Sequence, residues 1–233
     1  MLLPHLPAFK AHLAKTNTKL VLASASPRRR EILSAVLNNS NNDMFEIITS
    51  KFEENLPHSN FKTPGDYALA TARGKAMDVA ASLCGTPALI IAADTVVFHR
   101  NPARVLEKPA DHADAKRMLA MLSGKEHDVC TGVVVVAVDA AAHVVPAFSF
   151  VTSTRVFFSE LDEATIDAYV ATDEPMGKAG AYAIQGLGRT LIHRIDGCYM
   201  NVVGFPAADF SHHLAAYVTS VRNDETTAKK TRP

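Results

Sequence analysis

Apolar runs and segments of helical periodicity alternate along the first half of the chain. Short apolar runs predict strands at 19–23, 45–49 and 88–93. Helices are predicted between these strands. Pro27 begins one that ends at the Asn-rich stretch 38–42, and Pro64 begins another that ends near residue 83. Such interleaving of strands and helices is typical of an α/β sheet.

The second half of the chain has a different pattern. Two long segments rich in β-branched and aromatic residues, 128–138 and 148–158, are separated by a turn and predict a hairpin. Helices are predicted at 113–122, 161–171 and 207–221, with an extended segment at 190–195. The two halves together predict an α/β fold: a mixed, elongated sheet flanked by helices, with two lobes and a central cleft.

One domain is predicted at 19–221, because no low-complexity linker or internal repeat divides it. Residues 1–18 are interpreted as an N-terminal leader. They lack acidic residues, as transit peptides do, but Pro4, Pro7 and the early strand argue against organelle targeting. Residues 222–233 are polar and are predicted to form a disordered tail.

Charge and cysteine content narrow the classes of partner. Lys plus Arg and Asp plus Glu are balanced at 24 each, which disfavours binding to nucleic acid or to an anionic membrane. No apolar run approaches the ~18 residues of a membrane span. The three cysteines, Cys84, Cys130 and Cys198, have no zinc or disulfide spacing, which favours a reducing compartment and a cytoplasmic protein.

The first group of candidate functional residues lies where the first strand passes into a helix. Ser24, Ser26, Arg28 and Arg29 surround that helix N-terminus, where free N–H groups and the helix dipole favour an anion. A solvated basic turn is the alternative, but cations at the positive end of a helix dipole are disfavoured unless an anion is bound. These residues therefore predict a phosphate-binding cradle.

Carboxylates follow two of the predicted strands. Asp94 and Thr95 come directly after the strand 88–93, where Asp94 is a candidate to bind a metal or to deprotonate water. Glu53 and Glu54 follow the second strand and are candidates for a divalent cation, although solvated surface carboxylates are an equal alternative.

Three lysines and one glycine-rich loop complete the candidates. Lys75, Lys108 and Lys178 lie in separate segments, and each alone is typical of a surface lysine. In the loop 178–188, small residues leave room for a flat ligand, and the amide of Gln185 can both donate and accept at a base edge.

Five motifs occur in order along the chain, at Ser24–Leu33, Ala92–Val97, Glu107–Pro109, Leu122–Thr131 and Asp173–Gly204. Their sequences and order resemble those of the Maf family of nucleotide pyrophosphatases, and the resemblance covers residues 19–210. It implies a fold related to the inosine triphosphate pyrophosphatases. It also implies hydrolysis of a nucleoside triphosphate between the α and β phosphates, with a divalent metal, Mg²⁺ or Mn²⁺.

The resemblance also implies roles for individual residues. Asp94 resembles the family's proton acceptor and Glu54 its second carboxylate, and both are the expected metal ligands. Phosphate-contacting or catalytic positions of the family are matched by Ser24, Arg28, Arg29, Lys75, Lys108 and Lys178. Positions that set base choice are matched by Arg28, Thr95 and Gln185.

The segment from Tyr182 to Gly186 is similar to the branch of the family that acts on dTTP and UTP. Hydrolysis of 7-methyl-GTP and a non-catalytic nucleotide-binding role in cell division are the alternatives, and a homodimer is left open. Two residues depart from the family pattern. Gly177 stands where an aspartate is frequent, and Phe205 replaces a usual leucine.

Overall fold

The computed structural model describes residues 2–39 and 44–230, with side chains described as far as residue 223. The helices are α1 (Leu6–Lys15), α2 (Pro27–Val36), α3 (Pro64–Ser82), α4 (His112–Leu122), α5 (Glu163–Val170), α6 (Tyr199–Val203) and α7 (Ala207–Lys230). The strands are β1 (Lys19–Leu22), β2 (Glu46–Ile47), β3 (Ala88–Arg100), β4 (Ala103–Leu106), β5 (Glu126–Val138), β6 (Val144–Phe158) and β7 (Ile192–Asp196).

The strands form one mixed sheet in the order β2-β1-β3-β5-β6-β7, and β4 pairs with β3. β1 lies parallel to β2 and to β3, whereas β3, β5, β6 and β7 are antiparallel to their neighbours. The first half of the chain therefore supplies the parallel part of the sheet and the second half supplies a long antiparallel hairpin. This confirms the predicted mixed α/β fold.

Local sequence explains where the two helices beside the site begin. Ser26 caps α2, because its side chain accepts from the Arg29 amide, and Pro27 occupies a position that needs no N–H donor. Thr63 and Asp66 form a capping box at the start of α3, with Pro64 at the first helical position. Both helix starts were predicted from the Ser-Pro and Thr-Pro pairs.

Apolar side chains pack in separate clusters at the two ends of the long strands. One end is covered by α1, α2 and α7 on one face of the sheet and by α3 on the other. At the other end α4 and α5 pack against the sheet around Leu119, Val156 and Tyr169. α3 lies close over the middle of β5. Gly132 permits this approach, because a Cβ at this position would overlap the backbone of Leu69. This division gives the two lobes.

The prediction for β3 was too short. It ended the strand at Ala93 and placed Asp94 at the carboxyl end, but β3 continues to Arg100 and Asp94 lies within it. The polar pair Asp94 and Thr95 interrupts the apolar run without ending the strand, because β5 pairs with β3 as far as His99. Parallel β1 ends opposite Ile91, so Asp94 lies just beyond the end of that neighbour.

Three short elements, α1, β4 and α6, were not predicted. α1 lies within the predicted leader 1–18 and buries Leu6 and Phe9 against the first lobe. α7 continues to Lys230, into the segment 222–233 that was predicted to be disordered. Residues 40–43 of the Asn-rich stretch and 231–233 of the tail lie outside the described residues.

Within the described ranges, no helix is both long and apolar enough to cross a membrane. Cys84, Cys130 and Cys198 are all free thiols, as their spacing predicted, although only Cys130 is buried.

Candidate active site

The predicted cradle forms at the junction of β1 and α2. Ser24 is buried, and its hydroxyl oxygen accepts from the Ser26 amide at 3.2 Å. The hydroxyl oxygen of Ser26 accepts from the Arg29 amide at 3.4 Å. Both hydroxyls act as acceptors in these contacts, so each O–H remains available to donate to an anion at the helix N-terminus.

Arg29 is held by neutral acceptors on three different segments. Its Nε donates to the Gly204 carbonyl at 3.0 Å, and its Nη2 donates to the Thr95 hydroxyl at 3.1 Å. Its Nη1 lies 3.4 Å from the Ser24 hydroxyl oxygen. Burial lowers the pKa of Arg29, and the nearby charges of Asp94 and Glu54 partly offset that effect.

Asp94, Lys75 and Glu54 form a charged cluster. The Lys75 ammonium on α3 lies 2.8 Å from Asp94 Oδ1 and 3.0 Å from Glu54 Oε1. Lys75 and Asp94 are both buried, at 7% and 6% exposure, whereas Glu54 is partly exposed. The expectation that Lys75 is an ordinary surface lysine was therefore wrong. Its ammonium can be buried because two carboxylates pair with it and compensate for the loss of solvation.

The segment after β2 is fixed to α3, and this places Glu54 beside Lys75. Asp78 on α3 accepts from the Ser50 hydroxyl at 2.8 Å and from the Lys51 amide at 2.7 Å. The ring of Phe52 packs directly on Gly74, where any Cβ would overlap it. Glu53 does not join the cluster, since its carboxylate accepts from Asn55 at 3.0 Å. Of the two predicted carboxylates, only Glu54 therefore reaches the site.

The charges around Glu54 keep it ionised. Partial burial of the carboxylate raises its pKa. The positive charge of Lys75, its hydrogen bond to Glu54 and the charges of Lys108 and Arg29 lower the pKa by more, so the net shift is downward. Lys108 is exposed, and its ammonium lies 3.9 Å from Glu54 Oε2. Beside Lys108, Glu107 accepts from the Tyr67 hydroxyl at 2.9 Å. Burial of the Tyr67 hydroxyl raises its pKa most, and the contact with Glu107 raises it further.

Arg28 and Lys178 bring two more cations to the same cleft. The ammonium of Lys178 donates to the carbonyls of Glu174 and Met176, at 2.9 and 3.3 Å. Burial lowers the pKa of Lys178, the charge of Arg28 lowers it further, and the charge of Glu174 partly offsets these effects. Arg28, Arg29 and Lys178 make no ion pair with a carboxylate among the described residues.

The residues predicted to set base choice are only partly brought together. Thr95 joins the cradle through Arg29, and its hydroxyl lies 2.9 Å from that of Thr131 across the β3–β5 ladder. Gln185 has an exposed side chain on the loop of the second lobe. Tyr182, which begins the segment that resembles the dTTP/UTP branch, is buried in the second lobe, where its hydroxyl lies 2.9 Å from His127 Nε2.

The two unusual positions are explained by their surroundings. Gly177 has φ +71°, a left-handed conformation that glycine adopts freely, and a Cβ there would contact nothing within 4 Å. Phe205 is fully buried, and its ring centroid lies 5.0 Å from that of Phe210. Phe205 is therefore part of the core beside the cradle.

Three contacting residues lie in the motifs but were given no role by the sequence analysis: Thr131, Gly204 and Glu174. Thr131 contacts Thr95, and the carbonyl of Gly204 accepts from Arg29. Gly204 follows α6 directly and has a φ of +125°. Only its glycine character signals that role, because L residues with a side chain rarely adopt this conformation. Glu174 stands in a predicted motif, but no pattern in the sequence shows which amides its carboxylate binds.

The fit of the site to a divalent cation depends on two carboxylates. Among the described residues, no group of three or more His, Cys, Asp or Glu side chains could hold a metal ion by itself. Mg²⁺ usually binds one or two carboxylates and completes its shell with substrate phosphates and water. Asp94 and Glu54 lie on either side of Lys75, and they fit this mode of binding and not that of an all-protein cage.

The Asp94–Lys75–Glu54 cluster lies beside the cations of the cradle on a mixed α/β sheet, an arrangement that fits an enzyme acting on a phosphorylated substrate. Comparison with protein families identifies the family to which this enzyme belongs. Residues 19–217 match the model described as Maf-like protein, and the chain belongs to the Maf family.

Two named relatives cover most of this chain. The human probable bifunctional dTTP/UTP pyrophosphatase/methyltransferase protein is 45% identical over 203 residues, which are 84% of this chain and 31% of the human protein. The dTTP/UTP pyrophosphatase of Bacillus cereus strain AH820 is 40% identical over 199 residues, 85% of this chain and 95% of the bacterial protein. Among solved structures, a nucleoside-triphosphatase (dITP/XTP pyrophosphatase) of Mycobacterium abscessus aligns with 62% of this chain and 76% of its own. Its sequence identity is 17% and its TM-score is 0.37.

Proposed function

We propose that this protein hydrolyses dTTP and UTP to the nucleoside monophosphate and pyrophosphate. The observation that carries the proposal is the buried Lys75 ammonium between Asp94 and Glu54, beside a cradle of cations without carboxylate partners among the described residues. The relatives add support. The Bacillus cereus protein named dTTP/UTP pyrophosphatase is 40% identical and is matched over 95% of its length. The balanced formal charge also favours a small anionic substrate over nucleic acid.

The triphosphate would bind in the cradle. Ser24 and Ser26 would donate their hydroxyls to phosphate oxygens at the N-terminus of α2, and Arg28, Arg29 and Lys178 would neutralise the phosphate charge. Arg29 is already fixed by Gly204 and Thr95, so little side-chain entropy is lost when it contacts the substrate.

In the chemical step, Asp94 would accept a proton from water as the water oxygen attacks the α phosphorus in line with the leaving group. The bond from this phosphorus to the bridging oxygen breaks, and pyrophosphate leaves with the electron pair. Lys75 holds Asp94 in place and, with Lys108, lies where charge on the leaving group can be neutralised. Catalysis in this class of reaction depends mainly on positioning and electrostatics.

Asp94 and Glu54 would hold the expected Mg²⁺ or Mn²⁺ together with phosphate oxygens. A bound divalent cation supplies charge neutralisation and polarises the phosphoryl oxygens. Lys75 lies between the two carboxylates and would help to orient both of them toward such a cation.

The experiment that tests this proposal measures release of pyrophosphate from dTTP, UTP, CTP, GTP and 7-methyl-GTP with Mg²⁺ or Mn²⁺. We expect kcat/KM to be highest for dTTP and UTP. A higher value for 7-methyl-GTP would place the protein in the other branch. Turnover of none of the five, with binding still detectable by calorimetry, would support the non-catalytic regulatory role instead.

A further inference from the structure

The carboxylate of Glu174 accepts hydrogen bonds from the part of the loop that follows Gln185 and from the helix α5. Glu174 Oε1 accepts from the Gly188 amide and from the Tyr169 hydroxyl, each at 2.9 Å. Its Oε2 accepts from the Leu187 amide at 2.8 Å. Both oxygens of one carboxylate are therefore used to bind a loop distant from it in sequence, together with the helix α5.

The rest of the loop fits tightly around this carboxylate. A Cβ at Gly186 would overlap the Glu174 carboxylate, so a side chain there would displace this carboxylate from its present position. Tyr169 extends the same network, because its hydroxyl oxygen accepts from the Ala183 amide at 3.1 Å. Gln185 thus lies between Ala183 and Leu187, two residues whose amides are bound by the Tyr169–Glu174 pair.

Glu174 also contacts Lys178, one of the cations of the proposed phosphate site. Its main-chain carbonyl accepts from the Lys178 ammonium at 2.9 Å. Partial burial raises the pKa of the Glu174 carboxyl, but hydrogen bonds from the Gly188 and Leu187 amides and from Tyr169 lower it, and the net shift is downward. The carboxylate is therefore ionised at neutral pH, and its hydrogen bonds to the amides are charge-assisted.

We propose that Glu174 is the positioning residue for base selection, acting through the loop 183–188 to hold Gln185 at a fixed place. This inference rests on the proposed function, since it assigns Glu174 to the base-selecting side of the same site. The exposed amide of Gln185 makes no side-chain hydrogen bond that would hold it among the described contacts, so its position depends on the backbone on either side. A loop held by charge-assisted bonds gives a preorganised contact to the base.

The test compares Glu174→Gln with Glu163→Gln, an exposed glutamate in the first turn of α5. The Gln side chain keeps the size of Glu174 but turns an amide N–H₂ group toward a backbone N–H donor. We expect the ratio of kcat/KM for dTTP to that for CTP to fall about tenfold in Glu174→Gln, mainly through a higher KM for dTTP. Amide hydrogen exchange over 183–188 should become faster, and Glu163→Gln should change neither quantity.

Tyr169→Phe is the second variant, in case Glu174→Gln folds poorly. It removes one donor to the carboxylate and the acceptor of the Ala183 amide, so it should shift the same ratio in the same direction by a smaller factor. A uniform loss of kcat/KM for every nucleotide, or faster exchange with an unchanged base preference, would show that Glu174 only stabilises the fold and would overturn the inference.

The outcome for Glu174 can be separated from that of the proposed function. If the wild-type protein prefers another base, the proposed substrate is wrong, and Glu174→Gln should still reduce that preference. If the wild-type protein turns over no nucleotide, the ratio of dissociation constants for dTMP and CMP, measured by calorimetry, replaces the kinetic ratio. An unchanged ratio in Glu174→Gln would refute the role of Glu174 in either case.

Discussion

The two sides of the cleft treat charge in opposite ways. On the α3 side, the Lys75 ammonium lies between Asp94 and Glu54, so these three groups together carry one net negative charge. On the α2 side, Arg29 and Lys178 donate to carbonyl and hydroxyl oxygens, and no carboxylate pairs with them among the described residues. The first side therefore has an excess of negative charge, whereas the second has an excess of positive charge.

This difference indicates how the work of binding and of chemistry is divided. A partly buried cation without a counterion loses solvation that its neutral partners replace only in part, so an anion bound there regains favourable interactions. The α2 side is thus suited to bind phosphates. An Asp–Lys–Glu cluster with one net negative charge does not attract a polyphosphate by itself, but it holds a carboxylate in a fixed place, which suits proton transfer. Substitutions on the two sides should accordingly change different kinetic constants.

The largest effect is expected from Asp94→Asn. An amide in place of the carboxylate cannot take a proton from water, so kcat should fall by about 10²- to 10⁴-fold, the usual contribution of a general base. KM should change little, because the cations of the cradle remain. Steady-state kinetics with dTTP measure both constants.

A matched control for this substitution is Asp167→Asn, which removes an exposed carboxylate that pairs with Lys116 on the surface. Its kinetics should equal those of the wild-type protein. Thermal unfolding of both variants would show that the fold is intact. Near-normal turnover by a folded Asp94→Asn protein would mean that the carboxylate side of the cleft has no part in the chemistry.

A smaller effect, on KM, is expected from Arg28→Gln. Hydrogen bonds to charged groups contribute about 1.5–3 kcal/mol, so removing one phosphate contact should raise KM for dTTP by roughly 10- to 100-fold. The thermal midpoint should stay the same or rise, because Arg28 has no carboxylate partner to lose among the described residues. The kinetics should be measured at two salt concentrations, since screening weakens this contact.

The neighbouring Arg30 is exposed and serves as the control for Arg28, because Arg30→Gln removes the same charge from the same helix turn. We expect Arg30→Gln to raise KM by less than a factor of two or three. Equal effects of the two substitutions would mean that the helix responds only to its total charge. The α2 side would then contain no specific phosphate contact.

Sequence patterns predicted the fold well where each element follows local rules. The helix starts at Ser26-Pro27 and Thr63-Pro64, and the β5–β6 hairpin, depend on capping and on β-branched runs. The full length of β3 depends instead on pairing with β5, which holds polar Asp94 within the strand. β4 is four residues long, three of them at least partly exposed, and no periodicity marks it.

The site shows the same division between local and tertiary causes. The cradle at Ser24–Arg29 was predictable because strand, cap and arginines are adjacent in sequence. The burial of Lys75 was not predictable, because it depends on Asp94 from β3 and on Glu54. Glu54 is brought close by the hydrogen bond from the Lys51 amide to Asp78 on α3. Resemblance to the family supplied the candidates, but their convergence on one cleft required the structure.

The smallest expected effect concerns a buried polar pair that belongs to neither side of the cleft. His127 in the second lobe is fully buried beside Tyr182. Burial lowers its pKa to about 3, with a small further decrease from His99 and an opposing increase from Asp128. Between this value and the ordinary 6.5, the unfolded chain binds a proton at His127 that the folded protein does not, so stability falls as the pH falls.

His127→Gln should remove this dependence. Each pH unit below 6.5 costs the wild-type protein up to about 1.4 kcal/mol of unfolding free energy through this one group. Urea unfolding at pH 7 and pH 5 should therefore show a difference about 2 kcal/mol larger for the wild-type protein than for His127→Gln. His193→Gln, at an exposed histidine, should behave like the wild-type protein. Because His127 lies outside the cleft, the variant should keep the KM and kcat for dTTP at neutral pH. A change in either constant would mean that the second lobe affects the charge balance of the cleft through Tyr182.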